Sequence, residues 1–475
     1  MDLFFTDGRL QLNNPIAVAV LVLALAVLFW TVPEFGLAIF VAAWRSLMNI
    51  LITLPGLGSP ISIEALFGLF LLGRCLLLYR GSRAERRIWK DPLAGLCILI
   101  FALDALGCVR SMGTTGDRYT VHVFYVINVA VRRALPFLCV LAMSHDVTRI
   151  ARHLRFLFAI LLILQLLFVA ALVEGARNAQ RLFELRGISV FGMPIWGSGL
   201  ELYIPLALSY ILCGRPRTSF VKWIASAGMM VAYAMLVVAQ TRILWIAVPI
   251  SVLFVVAVAG RRRVRVLTSG VPVAIGIIIV ALAFARNATT TWEQLDETAV
   301  FRYVTSVSDK DLATASSGRV EIWQHSWPVF LKHPVLGAGV LGASPDWTVT
   351  RTEGTSVMRP GIHNYYLEIL TELGIVGFLV FGGIVIRLAK VVRANFRISA
   401  DSMVFYQLHV LSVGVITVHL VVALTSTNMN QAYWAMGLAL VTYHLSRLGS
   451  LPCGPLRTFG VGAQNLKTLG RSRAN

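Results

Sequence analysis

Long apolar segments constrain the fold of this chain more than any other feature. Many of them approach the length of about 20 residues that a helix needs to cross a bilayer. Segment 154–173, for example, carries apolar residues on every face of a helix, whereas the strands of a membrane barrel alternate apolar and polar residues. Thirteen such segments lie at residues 15–31, 35–54, 62–79, 92–109, 121–143, 153–173, 197–213, 221–239, 242–259, 264–285, 364–388, 403–425 and 431–446. They predict an all-α, polytopic integral membrane protein.

The charge distribution supports this class. Hydrophobic residues make up 57% of the chain and charged residues 14%, and the net charge is +19. The Lys and Arg residues concentrate in short connections, as expected for the cytoplasmic side of a membrane, so no nucleic acid partner is predicted. These basic connectors lie at residues 80–90, 145–155, 215–222, 261–265 and 387–397, each separated from the next by two apolar segments.

The same arrangement predicts the domain organisation. Because the connectors share one side, we expect about twelve transmembrane helices with both termini in the cytoplasm. Four regions follow, namely helices in residues 1–285, one long outer loop in 286–362, C-terminal helices in 363–446 and a basic cytoplasmic tail in 447–475.

The helix count near the amino terminus is the part of this topology left open. Arg45 interrupts one apolar segment and residues 55–60 carry two prolines, which indicates a segment that is short, re-entrant or merged with its neighbour. The first span is expected to act as an uncleaved signal anchor.

The outer loop differs from the basic connectors, because its acidic and basic residues are nearly balanced. Long ordered loops usually carry function. Residues 320–331 have the pattern of a short amphipathic helix, and His333-Pro334 followed by Gly337 and Gly339 is expected to end it.

His363 is the first candidate for chemistry, because it leads an otherwise apolar helix. It follows Pro360-Gly361, which places it in the first helical turn on one face with Leu367, Leu370, Gly374 and Gly377. The partial positive charge of the helix start is expected to lower the pKa of the imidazole, favouring the neutral form that a general base requires. The alternative is an interfacial histidine bonded to a neighbouring carbonyl.

Two arginines are expected on the same side of the membrane as His363. Arg242 lies at the outer end of its span, because the inner end is the cluster at residues 261–265, and Arg319 lies in the outer loop. A guanidinium binds phosphate in two places, whereas snorkelling for Arg242 and a salt bridge for Arg319 are the alternatives. One neutral base beside two cations suits a substrate whose leaving group is a phosphate or diphosphate, and needs no metal.

Charged and aromatic residues elsewhere form a second group of candidates. Intramembrane charges either line substrate cavities or pair helices, and aromatic side chains either stack on sugars or form interfacial belts. The charged candidates are Arg132, Arg133 and Glu201, and the aromatic ones are Trp323, Tyr365, Tyr366 and Trp434. Asp309-Lys310-Asp311 is similar to a paired-carboxylate metal signature, but such pairs are common in polar loops, so no metal site is predicted.

Three motifs carry a resemblance to a known family. One is Thr241-Arg242-x-x-x-x-Ala247, and a second is Ser317-Gly318-Arg319-x-x-x-Trp323 with His333-Pro334-x-x-Gly337-x-Gly339. The most specific is His363-Asn364-x-x-Leu367-x-x-Leu370-x-Glu372-x-Gly374-x-x-Gly377. Within residues 197–446 this pattern resembles the O-antigen ligase and polymerase superfamily of bacterial envelope enzymes.

The resemblance implies a membrane-embedded, GT-C-like glycosyltransferase that uses no metal or cofactor. Such an enzyme takes a glycan from an undecaprenyl diphosphate carrier on the periplasmic face of the bacterial inner membrane and inverts the anomeric carbon. By carry-over, His363 is the base and Arg242 and Arg319 hold the diphosphate. The further candidates for binding the diphosphate or sugar are Arg132, Arg133, Asn364, Tyr365, Tyr366 and Trp323.

Relatives of this kind use three acceptors, which are lipid A-core in ligases, another carrier-linked glycan in polymerases and a protein hydroxyl in protein O-oligosaccharyltransferases. A single long outer loop favours the ligase of lipopolysaccharide biosynthesis. A lipid-linked glycan transporter or flippase is the alternative from another class, with Arg132, Arg133 and Glu201 lining a pathway, although neither internal repeats nor broken helices are clear in the sequence. A carrier-binding scaffold without catalysis is the third hypothesis.

Overall fold

A computed structural model describes most of the chain and is predominantly helical. The described residues are 4–6, 9–12, 15–48, 50–52, 61–78, 83–112, 133–144, 146–178, 189–190, 193–194, 199–213, 219–239, 242–258, 319–340, 362–398, 403–426 and 429–447. The helices are α1 (Pro15–Thr31), α2 (Pro33–Met48), α3 (Ile63–Leu78), α4 (Arg83–Trp89), α5 (Pro92–Met112), α6 (Arg133–Ala142), α7 (Val147–Asn178), α8 (Leu200–Cys213), α9 (Ser219–Ala239), α10 (Arg242–Val258), α11 (Arg319–Lys332), α12 (Tyr365–Ile398), α13 (Met403–Val422) and α14 (Asn430–Arg447).

Four helices are long and apolar enough to cross a membrane. They are Pro92–Ser111, Val147–Ala171, Tyr365–Phe396 and Val404–Val422, and shorter apolar helices accompany them in the described residues. The prediction of a helical membrane protein is confirmed at this level. The count of about twelve spans and the placement of residues 286–362 outside stay predictions. The predicted span at 264–285 and most of the tail at 447–475 lie outside the described residues.

Short strands, which the sequence analysis did not predict, form two small sheets. In the first, β1 (Phe4–Thr6) pairs antiparallel with β2 (Arg9–Leu12), β2 parallel with β3 (Ile50–Ile52), and β3 antiparallel with β4 (Ile61–Ser62). The second pairs β5 (Ser189–Val190) antiparallel with β6 (Met193–Pro194).

Strand β3 corrects the predicted span at 35–54, because the helix there ends at Met48. Two β-branched isoleucines favour an extended chain at this point, and the proline at position 55 disfavours helix in the residue before it. The irregular early segment expected between Arg45 and residue 60 therefore includes β3.

Several of the basic connectors, expected as short connections between spans, are helical. Residues 387–397 are the last turns of α12, residues 147–155 open α7, and residues 83–89 form α4. Arg and Lys are good helix formers, and their long side chains extend from a helix end toward water. Two of these connectors, 147–155 and 387–397, thus continue a long apolar helix.

The core lies around α13 and α14, whose side chains are mostly buried. Helix α8 packs closely on α13, since a Cβ at Gly414 would lie 2.7 Å from the Pro205 ring. Helix α10 joins the same contact through Ser251, whose hydroxyl donates to the Gly414 carbonyl at 2.8 Å. A small residue at the crossing allows these backbones to approach.

Helices α5 and α12 run antiparallel. At one end, Arg387 donates two hydrogen bonds to Asp91, which immediately precedes α5. At the other end, Gly107 of α5 faces the Leu373 side chain. We call these the Asp91 end and the His363 end, because α12 begins close to His363.

Helix α12 is broken at Gly374, a feature that the sequence did not reveal. Its backbone angles are φ 68° and ψ −165°, a region that is open essentially to glycine alone. A break of this kind leaves two carbonyls before it and two N–H groups after it without their usual partners in the helix.

The segment that follows α11 satisfies all four of these groups. The N–H groups of Ala338 and Gly339 donate to the Thr371 and Glu372 carbonyls at 2.7 and 3.0 Å. In return, the N–H groups of Ile375 and Val376 donate to the carbonyls of the two residues at 334 and 335, at 2.8 and 3.2 Å. We call residues 333–340 the docking segment, because it replaces the missing helical hydrogen bonds of α12.

Replacing Gly374 by alanine tests this contact. An added Cβ would lie 2.3 Å from the Val335 carbonyl oxygen, and the left-handed φ adds strain, so Gly374→Ala is expected to lower the free energy of unfolding by about 2 kcal/mol or more. Thermal unfolding in detergent, with amide hydrogen exchange of residues 338–339, measures both effects. The matched control is Gly382→Ala in the same helix, where no atom lies within 4 Å of the added Cβ. Equal stability and equal exchange protection of the two variants would contradict the docking.

Candidate functional site

The start of α12 places His363 outside the helix, which corrects its predicted position in the first turn. The helix begins at Tyr365, and Asn364 is its N-cap, since the Asn364 side-chain oxygen accepts a hydrogen bond from the Leu367 N–H at 3.1 Å. The Tyr365 N–H donates instead to the Ala423 carbonyl at 2.8 Å, which joins this helix start to the end of α13.

His363 is exposed and has a left-handed backbone, with φ 54°. Such a conformation is uncommon for a residue other than glycine and costs of order 1 kcal/mol, and strained residues of this kind cluster at functional sites. Because the helix breaks at Gly374, the predicted face from His363 through Gly377 is not one continuous helical face. The imidazole instead projects from the turn just before the N-cap.

Helix α11 lies against this turn. The Trp323 indole N–H donates to the Ile362 carbonyl at 3.0 Å, one residue before His363. Arg319 lies one turn earlier on the same side of α11, at the spacing that brings two side chains together. The predicted amphipathic helix and its end at His333-Pro334 are confirmed.

The surroundings of His363 lower the pKa of its imidazole. Neighbouring protein atoms remove part of its hydration, which is the main cause, and the positive charge of Arg319 is the second. The predicted direction is therefore confirmed, although the expected cause was the helix start. The neutral imidazole is the favoured form at neutral pH.

Beneath this turn lies a buried ionic cluster. Arg133, at the first described position of α6, donates to the Asp104 carboxylate at 2.9 Å and also pairs with Glu368. All three residues are buried, and the Arg133 guanidinium lies 5.4 Å from the Tyr365 ring centre. The cluster links α5, α6 and the first turn of α12.

The aromatic candidates form structural hydrogen bonds. The hydroxyl groups of Tyr365 and Tyr433 lie 2.8 Å apart, and the Tyr366 hydroxyl donates to the Leu420 carbonyl at 2.7 Å. Tyr365 and Trp434 are fully buried, and the Trp434 indole donates to His153 at 3.0 Å. In this structure, neither of these buried rings presents a face on which a sugar can stack.

Arg242 is the first residue of α10 and lies at the His363 end of the bundle. Helix α8 runs antiparallel to α13, since Pro205 meets Gly414 while Tyr210 bonds Gln407, and α10 returns alongside α8 after α9. The start of α10 therefore lies near the end of α13, where the Tyr365 N–H donates to the Ala423 carbonyl. The Arg242 side chain, Arg132 and residues 309–311 lie outside what the structure describes.

Glu201, the remaining charged candidate, is buried in α8. One of its carboxylate oxygens has no hydrogen-bond partner among the described residues. In the same part of the chain, no group of three or more His, Cys, Asp or Glu side chains has the arrangement of a metal site.

The sequence analysis missed Asp104 and Glu368 as parts of this region. An acidic residue in the middle of an apolar span is a usable signal for Asp104, because isolated charges are costly there. The pairing itself was not visible, since Arg133 and Glu368 are 235 residues apart in the chain.

Comparison with known proteins identifies one family. Residues 225–382 match the family described as O-antigen ligase. The matched region contains α10, α11, the docking segment and the start of α12, and thus all three motifs that carried the resemblance. A search of curated proteins found no match.

Removing the charge of Arg133 tests whether the ionic cluster fixes the start of α12. Arg133→Gln leaves two carboxylates buried without their cation, so we expect a loss of about 3–5 kcal/mol in the free energy of unfolding. Adding Asp104→Asn and Glu368→Gln to that variant should recover much of the loss. Arg110→Gln, which removes an exposed arginine from α5, is the matched control. If Arg133→Gln and Arg110→Gln unfold at the same temperature, the ionic cluster does not fix the start of α12.

Proposed function

Because residues 225–382 place this chain in the O-antigen ligase and polymerase superfamily, we propose that it is a membrane-embedded glycosyltransferase. In this proposal it transfers a glycan from undecaprenyl diphosphate to lipid A-core on the periplasmic face of the inner membrane. The observation that carries the proposal is the placement of an exposed, neutral-favouring His363 beside Arg319, within the matched region.

His363 is the general base of the proposed reaction. Its imidazole is exposed to a substrate, its lowered pKa favours the form that accepts a proton, and its backbone is held by the cap at Asn364. A base with a pKa below neutral pH is in the active form under physiological conditions. These properties support catalysis over a purely structural histidine.

Arg319 and Arg242 are the proposed cations for the diphosphate. Arg319 acts on His363 electrostatically and α10 starts at the same end of the bundle, which supports a shared site. Arginine suits this role because it keeps its charge and binds two phosphate oxygens at once. Arg133 has a different role in this proposal, because Asp104 and Glu368 already occupy its guanidinium, and it acts as a positioning residue.

In the proposed transfer step, residues of this chain accept the proton and stabilise the leaving group. His363 takes the proton of the acceptor hydroxyl, whose oxygen forms a bond to the anomeric carbon. The bond from that carbon to the diphosphate breaks, and undecaprenyl diphosphate leaves with the electron pair. The arginines stabilise the charge that develops on it, so the step needs no metal. A single displacement inverts the anomeric carbon.

His363→Asn tests the base while keeping a residue that tolerates a left-handed backbone. We expect the glycan transfer rate to fall by about 100- to 10,000-fold, because general base catalysis contributes that much. The assay follows transfer from carrier-linked glycan to lipid A-core with purified protein. His325→Asn, an exposed histidine on α11, is the control and should retain the native rate. An unchanged rate in His363→Asn would leave His363 a structural residue.

The identity of the acceptor is tested in cells that lack their own copy of this protein and express the His363→Asn variant. A ligase defect leaves lipid A-core bare while long glycan accumulates on the carrier. A core carrying one repeat unit would instead identify a polymerase, and glycan missing from a protein would identify a protein O-oligosaccharyltransferase. Lipopolysaccharide and carrier-linked glycan are examined together by gel and immunoblot.

Arg319→Gln is expected to shift the pH dependence of transfer. Losing the arginine removes one of the two causes that lower the pKa of His363, so that pKa rises toward 6.5. The active form is the neutral imidazole, so activity is lost as pH falls through this pKa, and the acid limb of kcat/KM moves to higher pH. Arg319→Lys keeps the positive charge and should keep the native limb. A limb that moves to lower pH, or stays in place in Arg319→Gln, would contradict the pairing.

A further inference from the structure

A second charged cluster lies at the Asp91 end, on the far side of the molecule from His363. About 20 residues of α12 separate Tyr365 from Arg387, which corresponds to roughly 30 Å of helix and to the thickness of a bilayer core. Asp91 also lies next to Pro92, where the apolar span of α5 begins. The cluster therefore sits at a membrane boundary, and it is separate from the proposed active site.

Asp91 organises this cluster. It is buried, and its carboxylate accepts hydrogen bonds from the Leu93 N–H at 2.8 Å and from Arg387 at 3.2 and 2.8 Å, with His444 2.9 Å away. Burial opposes ionisation of the carboxyl, but these hydrogen bonds outweigh it and hold the pKa of Asp91 well below its usual range. One fixed negative charge thus positions the side chains around it.

Tyr443 holds two guanidinium groups next to this carboxylate. The Arg447 guanidinium lies 4.1 Å from the ring centre of Tyr443 and donates to its hydroxyl at 2.5 Å, while the Arg387 guanidinium lies 5.7 Å from the same ring centre. Cations over an aromatic ring are attracted by its π electrons. The two arginines are therefore held in place before any ligand arrives.

A cavity of about 370 Å³ opens between these groups. Among the described residues that line it, Arg87, Lys90, Arg387 and Arg447 are permanent cations and Asp91 carries the one carboxylate. Arg87, Lys90 and Arg447 are exposed. The cavity keeps an excess of positive charge that its own residues do not neutralise.

We propose that this cavity binds the phosphate headgroup of an anionic phospholipid. Basic pockets between transmembrane helices at the cytoplasmic surface recognise such headgroups, and each Lys or Arg near an anionic membrane surface strengthens the attraction. The structure also provides a surface for the acyl chains. Ile386, next to Arg387, and Leu99 of α5 are exposed apolar side chains on the adjoining spans.

A soluble anion would use the charges of the cavity but not this apolar surface. The boundary position, the excess of cations and the adjoining lipid-facing side chains together favour a molecule with both an anionic head and apolar chains. The inference does not depend on the proposed transfer reaction, because it concerns the opposite end of the bundle.

Binding of phosphatidylglycerol to the full chain in zwitterionic detergent tests the proposal, with phosphatidylcholine as the neutral lipid. Native mass spectrometry gives the apparent Kd for each lipid. We expect phosphatidylglycerol to bind more tightly, and we expect Arg87→Gln with Arg447→Gln to weaken it by about tenfold or more while leaving phosphatidylcholine unchanged. Both substituted residues are exposed, so the fold should be retained.

The control removes the same amount of charge from helices that border the cavity, at positions outside it. Arg86→Gln with Arg393→Gln changes two exposed arginines of α4 and α12 that do not line it, and should retain the native preference. Equal weakening in both double variants would show a diffuse surface effect and overturn the site. No weakening in Arg87→Gln with Arg447→Gln would overturn it as well. If millimolar inorganic phosphate displaces phosphatidylglycerol completely, the ligand is a soluble anion and the assignment to a lipid is wrong.

Discussion

The break of α12 at Gly374 is the constraint on which the His363 end depends. An interrupted helix exposes backbone groups that are costly to leave unpaired in an apolar environment, so some other segment must bind them. The docking segment does so with four hydrogen bonds. It directly follows α11, so the contact also holds α11 against the start of α12. The Trp323 bond to Ile362 then brings Arg319 near His363.

Local patterns predicted the individual elements of this arrangement well. The amphipathic pattern at 320–331 gave α11 to within one residue at each end, and His333-Pro334 marked its end, because both signals act within a few residues of the chain. The polar start at 363–364 marked where α12 begins. These features depend on hydrogen bonds and side-chain periods inside a single element, so the chain order is enough to reveal them.

Features that join distant segments could not be predicted in the same way. Gly374 and Gly377 were placed on one continuous helical face with His363, because a glycine that permits close contact and one that breaks a helix look alike in a sequence. The predicted start of α12 was wrong for a similar reason, because His363 and Asn364 are both able to precede a helix. Asn364 is the N-cap, so His363 lies outside the first turn. For Arg133, a substrate contact and helix pairing both stayed open, because its partners, Asp104 and Glu368, lie far away in the chain.

The two ionic contacts explain how a broken helix keeps its position. Buried ion pairs contribute little net stability, because desolvation offsets most of the attraction, but a wrong alignment would leave a charge unpaired and is strongly disfavoured. Arg133 with Asp104 and Glu368 fixes α12 against α5 at one end, and Asp91 with Arg387 fixes the same two helices at the other. Gly374 lies between these contacts, so the break does not allow the helix to slide along α5. The position of His363 relative to Arg319 is therefore set by charges buried within the bundle as well as by the docking segment.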